Sequence, residues 1–163
     1  MSVDGTDFMI DEESPFDPRW FSIKFKNAGV RYEIGICIQT GDIVWVNGPF
    51  PCGTYPDHVI VNLPGGLEQS LLPGERYLCD GVYRYRPRSV TPTGTHTPLD
   101  RMKAEARARH ETVNGRFKRF GVLRQRFRHD RLKHRPCALS VFTIIQVEME
   151  EESPIFQVQY YDR

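Results

Sequence analysis

Along residues 30–38 the chain alternates without a break. Val30, Tyr32, Ile34, Ile36 and Ile38 are apolar or aromatic, with Arg31, Glu33, Gly35 and Cys37 between them. A period of two predicts a half-buried strand. Thr40-Gly41-Asp42 then reads as a turn and Ile43–Val46 as the next strand, so the pair forms an antiparallel hairpin. Upstream, residues 2–10 predict a short first strand closing on a turn at Asp4-Gly5, and the acidic, proline-bearing residues 11–20 a loop. Phe21, Ile23 and Phe25 alternate in an extended lead-in that turns at Asn27-Ala28-Gly29.

Gly48 to Gly53 reads as a loop. Tyr55 to Leu72 predicts a helix starting near Asp57 and interrupted at Pro64-Gly65-Gly66. Arg76–Cys79 is a fourth strand with Asp80-Gly81 at its end, and Arg84 to Pro98 a loop. Thr97 as N-cap with Pro98 at the first helical position opens a helix to about Phe120. On that helix Val113, Phe117 and Phe120 share a face, whereas Glu111 lies about 160° from Val113, among Ala104, Arg107, Ala108, Asn114, Gly115 and Lys118. Ala138–Val147 predicts a buried last helix, and Ile155–Tyr161 a short strand or ordered tail. Strands and helices in this order give an α/β or α+β sheet layered by helices.

The 163 residues suit one domain with a sizeable core. No apolar run approaches the roughly 18 residues of a membrane span, and the N-terminus lacks the pattern of a signal peptide, so the expectation is an intracellular protein. Cys37, Cys52, Cys79 and Cys137 form no C-x-x-C pair and read as reduced thiols. His129, His134 and Cys137 lie close in sequence, but nothing completes a zinc tetrad.

Charge changes the picture. Formal net charge is only +1, yet residues 101–135 hold 13 Lys and Arg against three acids, a local +10. Clustered bases of this density point to a phosphate backbone. Against that background three carboxylates stand out. Asp4 and Asp80 sit at strand ends, and Glu111 sits on a helix face turned from the apolar stripe. Neighbouring strand ends bring two acids together, and a helix over that edge adds a third. Such an all-oxygen set suits Mg²⁺ or Mn²⁺, and two such ions about 3.5–4 Å apart serve phosphodiester cleavage.

The segments DGTD (4–7), WFSIKFKNAGVRYEIGICI (20–38), GPFPCGTYPDHVI (48–60), CDGVYR (79–84) and HETVNGRFKRFGVL (110–123) together resemble the catalytic domain of PIF/Harbinger-type DDE transposases, in the RNase H-like, retroviral-integrase superfamily. The resemblance runs to about Val158. It implies an RNase H-like mixed sheet, an antiparallel hairpin plus parallel strands, flanked by helices, as a single domain over 1–163. It implies that Asp4, Asp80 and Glu111 bind two Mg²⁺ or Mn²⁺ ions in a DNA endonuclease that joins strands as well as cutting them. Asp57 becomes an accessory residue, explained equally by helix capping, and His110 a packing or DNA-side residue. Asp7 competes with Asp4 and fits the motif less well. Arg116, Lys118, Arg119, Arg124, Arg126 and Arg128, with Lys24 and Lys26, are the candidate DNA contacts. The upstream helical DNA-recognition region of the family is not in the sequence, so the expectation is a fragment or a separate DNA-recognition protein, nuclear in a eukaryotic cell, with oligomerisation open. The alternatives are a catalytically inactive, domesticated DNA- or protein-binding module, and an RNase H-like nuclease acting on RNA or on a hybrid.

Overall fold

A computed structural model describes residues 1–83, 86–95 and 97–159. Its strands are β1 (Ser2–Met9), β2 (Phe21–Ser22), β3 (Asn27–Ile36), β4 (Ile43–Pro51), β5 (Tyr77–Leu78) and β6 (Ser89–Val90). The α-helices are α1 (Asp57–Ile60), α2 (Leu67–Ser70), α3 (Pro98–Phe117), α4 (Gly121–Arg124) and α5 (His134–Glu151). Strand β3 pairs antiparallel with β1 and with β4, while β5 runs parallel to both β1 and β6.

The alternation that predicts β3 is the reason for the layering. Successive side chains leave opposite faces of a strand. Phe8, Val30, Tyr32, Ile34 and Ile36 pack with Val113 and Phe117 of α3 and Val141, Phe142 and Ile145 of α5. Burial of each such aliphatic side chain contributes about 1.5–3 kcal/mol. Val3 leaves the other face and packs with Val61, Leu67, Leu71, Tyr77, Cys79 and Tyr83. Helices α3 and α5 therefore cover one face, and α1 and α2 the other. This is the α/β RNase H-like architecture, a mixed sheet flanked by helices.

Several expectations change. The first strand does not end at Asp4-Gly5. It pairs with β3 over all eight residues, Gly5 opposite Glu33, and long-range pairing overrides the turn preference of Asp-Gly. The lead-in is cut to two residues. Phe21 and Ser22 pair with Ala28 and Asn27, so the turn falls at residues 23–26, closed by Lys26 N donating to Ser22 O at 2.9 Å. Gly48–Pro51 is strand rather than loop, with Phe50 opposite Arg31 and Pro51 opposite Val30. The helix expected over 55–72 becomes two single turns separated at Pro64-Gly65-Gly66. β6 lies within the expected 84–98 loop. α5 starts four residues earlier than expected and ends four later, and its Ile144 and Val147 are half exposed. The start of α3 is as expected, with Thr97 Oγ1 accepting from Asp100 N at 3.2 Å. At the C-terminus Ile155 and Val158 are buried without forming a strand in the described residues, and positions 160–161 of that expectation lie outside them.

Candidate active site

Asp4 and Asp80 are brought together by register. Ser2 of β1 pairs with Leu78 of the parallel strand β5. Two residues further on stand Asp4, within β1 and on the same face as Ser2, and Asp80, just beyond the end of β5 and near enough for its charge to act on Asp4. That face is the α3 side, since Leu78 packs with Ala106. Asp80 is steadied by its own turn, its Oδ1 accepting from Val82 N at 2.8 Å. Burial, and then the charges of Asp57 and Asp80, push the Asp4 carboxyl up to about 6. Like charges gathered where water is scarce favour a bound proton or cation.

Helix α3 is stitched along β1 by two side-chain bonds. Ser2 Oγ and His110 Nδ1 are 3.0 Å apart, and Asn114 Nδ2 donates to Asp4 Oδ2 at 3.2 Å. Two residues of strand advance roughly 6.6 Å and four residues of helix roughly 6 Å, so the two rungs match in spacing. Glu111 follows His110 on the helix and is exposed. With Asp4, Arg107 and His110 it lines a cavity of about 10 Å³, room for about one water. His110 is buried, and burial followed by the charge of Arg107 lowers it to about 3, so it is a neutral packing residue at physiological pH. Lys118, two turns beyond Glu111, is half-buried. Burial and the charge of Lys24 lower its pKa, against the pull of Asp7 and Asp4.

Asp7 and Asp57 belong to the opposite face. Arg31 grips Asp7 with Nε at 2.7 Å and Nη2 at 3.0 Å. Its Nε is also 3.3 Å from Asp57 Oδ1. Burial alone would raise the Asp7 carboxyl, but Arg31 holds it below its ordinary value. Asp57 makes no capping bond, so capping does not account for it. It sits against Gly5, where an added Cβ would lie 2.6 Å from Asp57 Cγ. Only glycine fits between Asp4 and Thr6, which gives the DGT segment a steric reason.

The expected DNA-side bases fall into separate places. Lys24 and Lys26 are exposed on the turn between β2 and β3. Arg124, at the end of α4, and Arg126 and Arg128 beyond it are exposed, with Arg126 3.7 Å from Asp11. Arg116 and Arg119 do not join them. Both pair with Glu148 of α5, and Arg116 Nη1 also donates to Ser153 O at 2.6 Å. His134, from the weak zinc pattern, bonds Tyr32 Oη at 2.8 Å in the core.

Among the described residues no group of three His, Cys, Asp or Glu side chains stands close enough to hold a metal ion as placed. The donor chemistry nonetheless fits a hard dication: oxygen ligands only, and an acid-crowded Asp4 that positive charge would relieve. The residues alone place Arg107 and Asn114 on the face of Glu111 but do not show that Asn114 bonds Asp4. Their spacing from Glu111, i+3 and i−4, is the signal that places them on its face.

A family model described as a DDE superfamily endonuclease matches residues 3–146. No curated protein and no solved structure matches the chain. No helix among the described residues is long and apolar enough to cross a membrane.

Proposed function

Since the chain belongs to the DDE superfamily endonucleases, we propose that it cleaves DNA phosphodiester bonds through Asp4, Asp80 and Glu111. The observation that carries this reading is the parallel register of β1 and β5. It supports pairing Asp4 with Asp80, and Asp4 and Glu111 line one small cavity below α3.

In this reading Asp4 and Asp80 form the fixed half of the site and the exposed Glu111 closes it from α3. Together they would hold Mg²⁺ or Mn²⁺, which when bound supplies an activated water and stabilises the departing 3′ oxygen. Asn114 donates to one oxygen of Asp4. Arg31 pairs Asp7 and Asp57, so the acid-rich edge carries less net negative charge toward an incoming phosphate. Arg107 and Lys118 flank the acids and offset that charge further. Lys24 and Lys26 extend the positive rim along the β2–β3 turn, whereas Arg116 and Arg119 serve the α3–α5 contact. A freed 3′ hydroxyl retained at the same edge would be placed to attack a second DNA, giving strand transfer.

The test is conversion of supercoiled plasmid to nicked circles by the purified chain with Mn²⁺, against the same reaction in EDTA. Nicks with 3′ hydroxyl and 5′ phosphate ends support the proposal. A folded chain that binds DNA but leaves plasmid intact in Mn²⁺ contradicts it.

A further inference from the structure

The segment after α4 is joined to the far end of β1. Phe127 N donates to Met9 O at 2.9 Å, Asp11 N donates to Phe127 O at 2.9 Å, and Ile10 and Phe127 form a parallel bridge. These bonds hold open a cleft of about 660 Å³ whose lining includes Arg124, Gln125, Arg126, Arg128, His129 and Met9. Three guanidinium groups, an amide and an imidazole around one opening are donors for anionic oxygen.

The acidic loop 11–13 already engages part of this charge. Asp11 lies 3.7 Å from Arg126, and Glu13 pairs with Arg131, whose guanidinium also stacks 4.3 Å from the Trp20 ring. Among the described residues Arg124 and Arg128 have no acidic partner. Two cations of the cleft thus face solvent free, beside a short run of carboxylates that satisfies their neighbours.

We propose that this cleft is a second seat for the phosphate backbone of duplex DNA, partly screened by the acidic loop. The choice of duplex DNA over other polyanions rests on the endonuclease reading; the anion site rests on the cleft itself. Because its wall is bonded to Met9, the cleft stands a fixed distance from Asp4. Five residues of strand separate them, roughly 17 Å. That is about five base-pair steps of B-form DNA.

The experiment is fluorescence anisotropy of a labelled duplex of about three helical turns, titrated over a range of salt in EDTA so that no chemistry occurs. Each phosphate contact adds about 0.9 to the slope of log affinity against log salt. Arg124→Ala/Arg128→Ala is expected to bind more weakly, with a slope shallower by about 1.8. The charge-preserving Arg124→Lys/Arg128→Lys pair is expected to keep the slope. Asp11→Asn/Glu13→Gln is expected to bind more tightly and steepen it. An unchanged slope in the alanine pair, with wild-type melting behaviour, overturns the proposal, as does polyglutamate or duplex RNA competing as well as the DNA. Loss of slope in a protein that never nicks plasmid leaves the cleft standing and removes the endonuclease. Nicking with an unchanged slope does the reverse.

Discussion

Asn114 Nδ2 donates to Asp4 Oδ2 at 3.2 Å, joining residues 110 positions apart in sequence. The bond is largely sheltered, with Asn114 9% exposed. It couples the strand that carries one acid of the proposed triad to the helix that carries another. A hydrogen bond to a charged group contributes about 1.5–3 kcal/mol. Asn114→Ala is therefore expected to lower unfolding free energy by about that amount at pH 7–8, read from urea denaturation. A loss below a few tenths of a kcal/mol would mean that the two elements are held by apolar packing alone.

Gly5 and Asp57 make a second such pair. The carboxylate of Asp57 occupies the space a side chain at position 5 would need. Gly5→Ala is expected to cost about 1–3 kcal/mol through overpacking. In an Asp57→Ala background most of that cost should disappear. A double-mutant cycle measures the difference, and additive effects would contradict the steric account.

Glu33 carries the clearest pH dependence. It is fully buried on the α1/α2 side of β3, its Oε2 accepts from Trp45 Nε1 at 2.8 Å, and its Oε1 has no partner. Burial is the main cause of its rise from 4.5 to about 7, opposed by the Trp45 bond and helped by the charge of Asp57. The folded state thus binds this proton more tightly than the unfolded chain. Stability from this group is full below about pH 4.5 and is lost as pH rises through about 7. Glu33→Gln keeps the acceptor for Trp45 and removes the titration. It should match the wild type near pH 4 and exceed it by up to about 3 kcal/mol at pH 8. Parallel stability curves for the two proteins would sink this reading.

Much of this arrangement is legible in the residues. The strict alternation at 30–38 marks β3 because one face of that strand meets α3 and α5. Thr97 and Pro98 mark the start of α3 because its first turn needs a cap and no donor at its first position. Glu111 stands out as an acid off the apolar stripe, and Asp80 as one just past a strand, whereas Asp4, expected at a strand end, lies inside β1. What stayed hidden depends on distant partners. Gly48–Pro51 has loop composition yet is strand, because β3 supplies the bonding partners. β6 is two residues long, too short for any period. Arg116 and Arg119 read as free bases until Glu148, 32 and 29 residues away, is brought beside them. Asn114 looked like one more polar residue on the helix until β1 was placed beneath it.

The roles of the three acids are tested by comparing single-substitution variants in the Mn²⁺ plasmid-nicking reaction. Asp80→Asn and Glu111→Gln preserve shape and remove charge. Both are expected to nick more than about a hundredfold more slowly than the wild type, with melting temperature kept and duplex affinity in EDTA no weaker. Variants that fold, bind DNA and nick at the wild-type rate would show that the chemistry does not run through these acids.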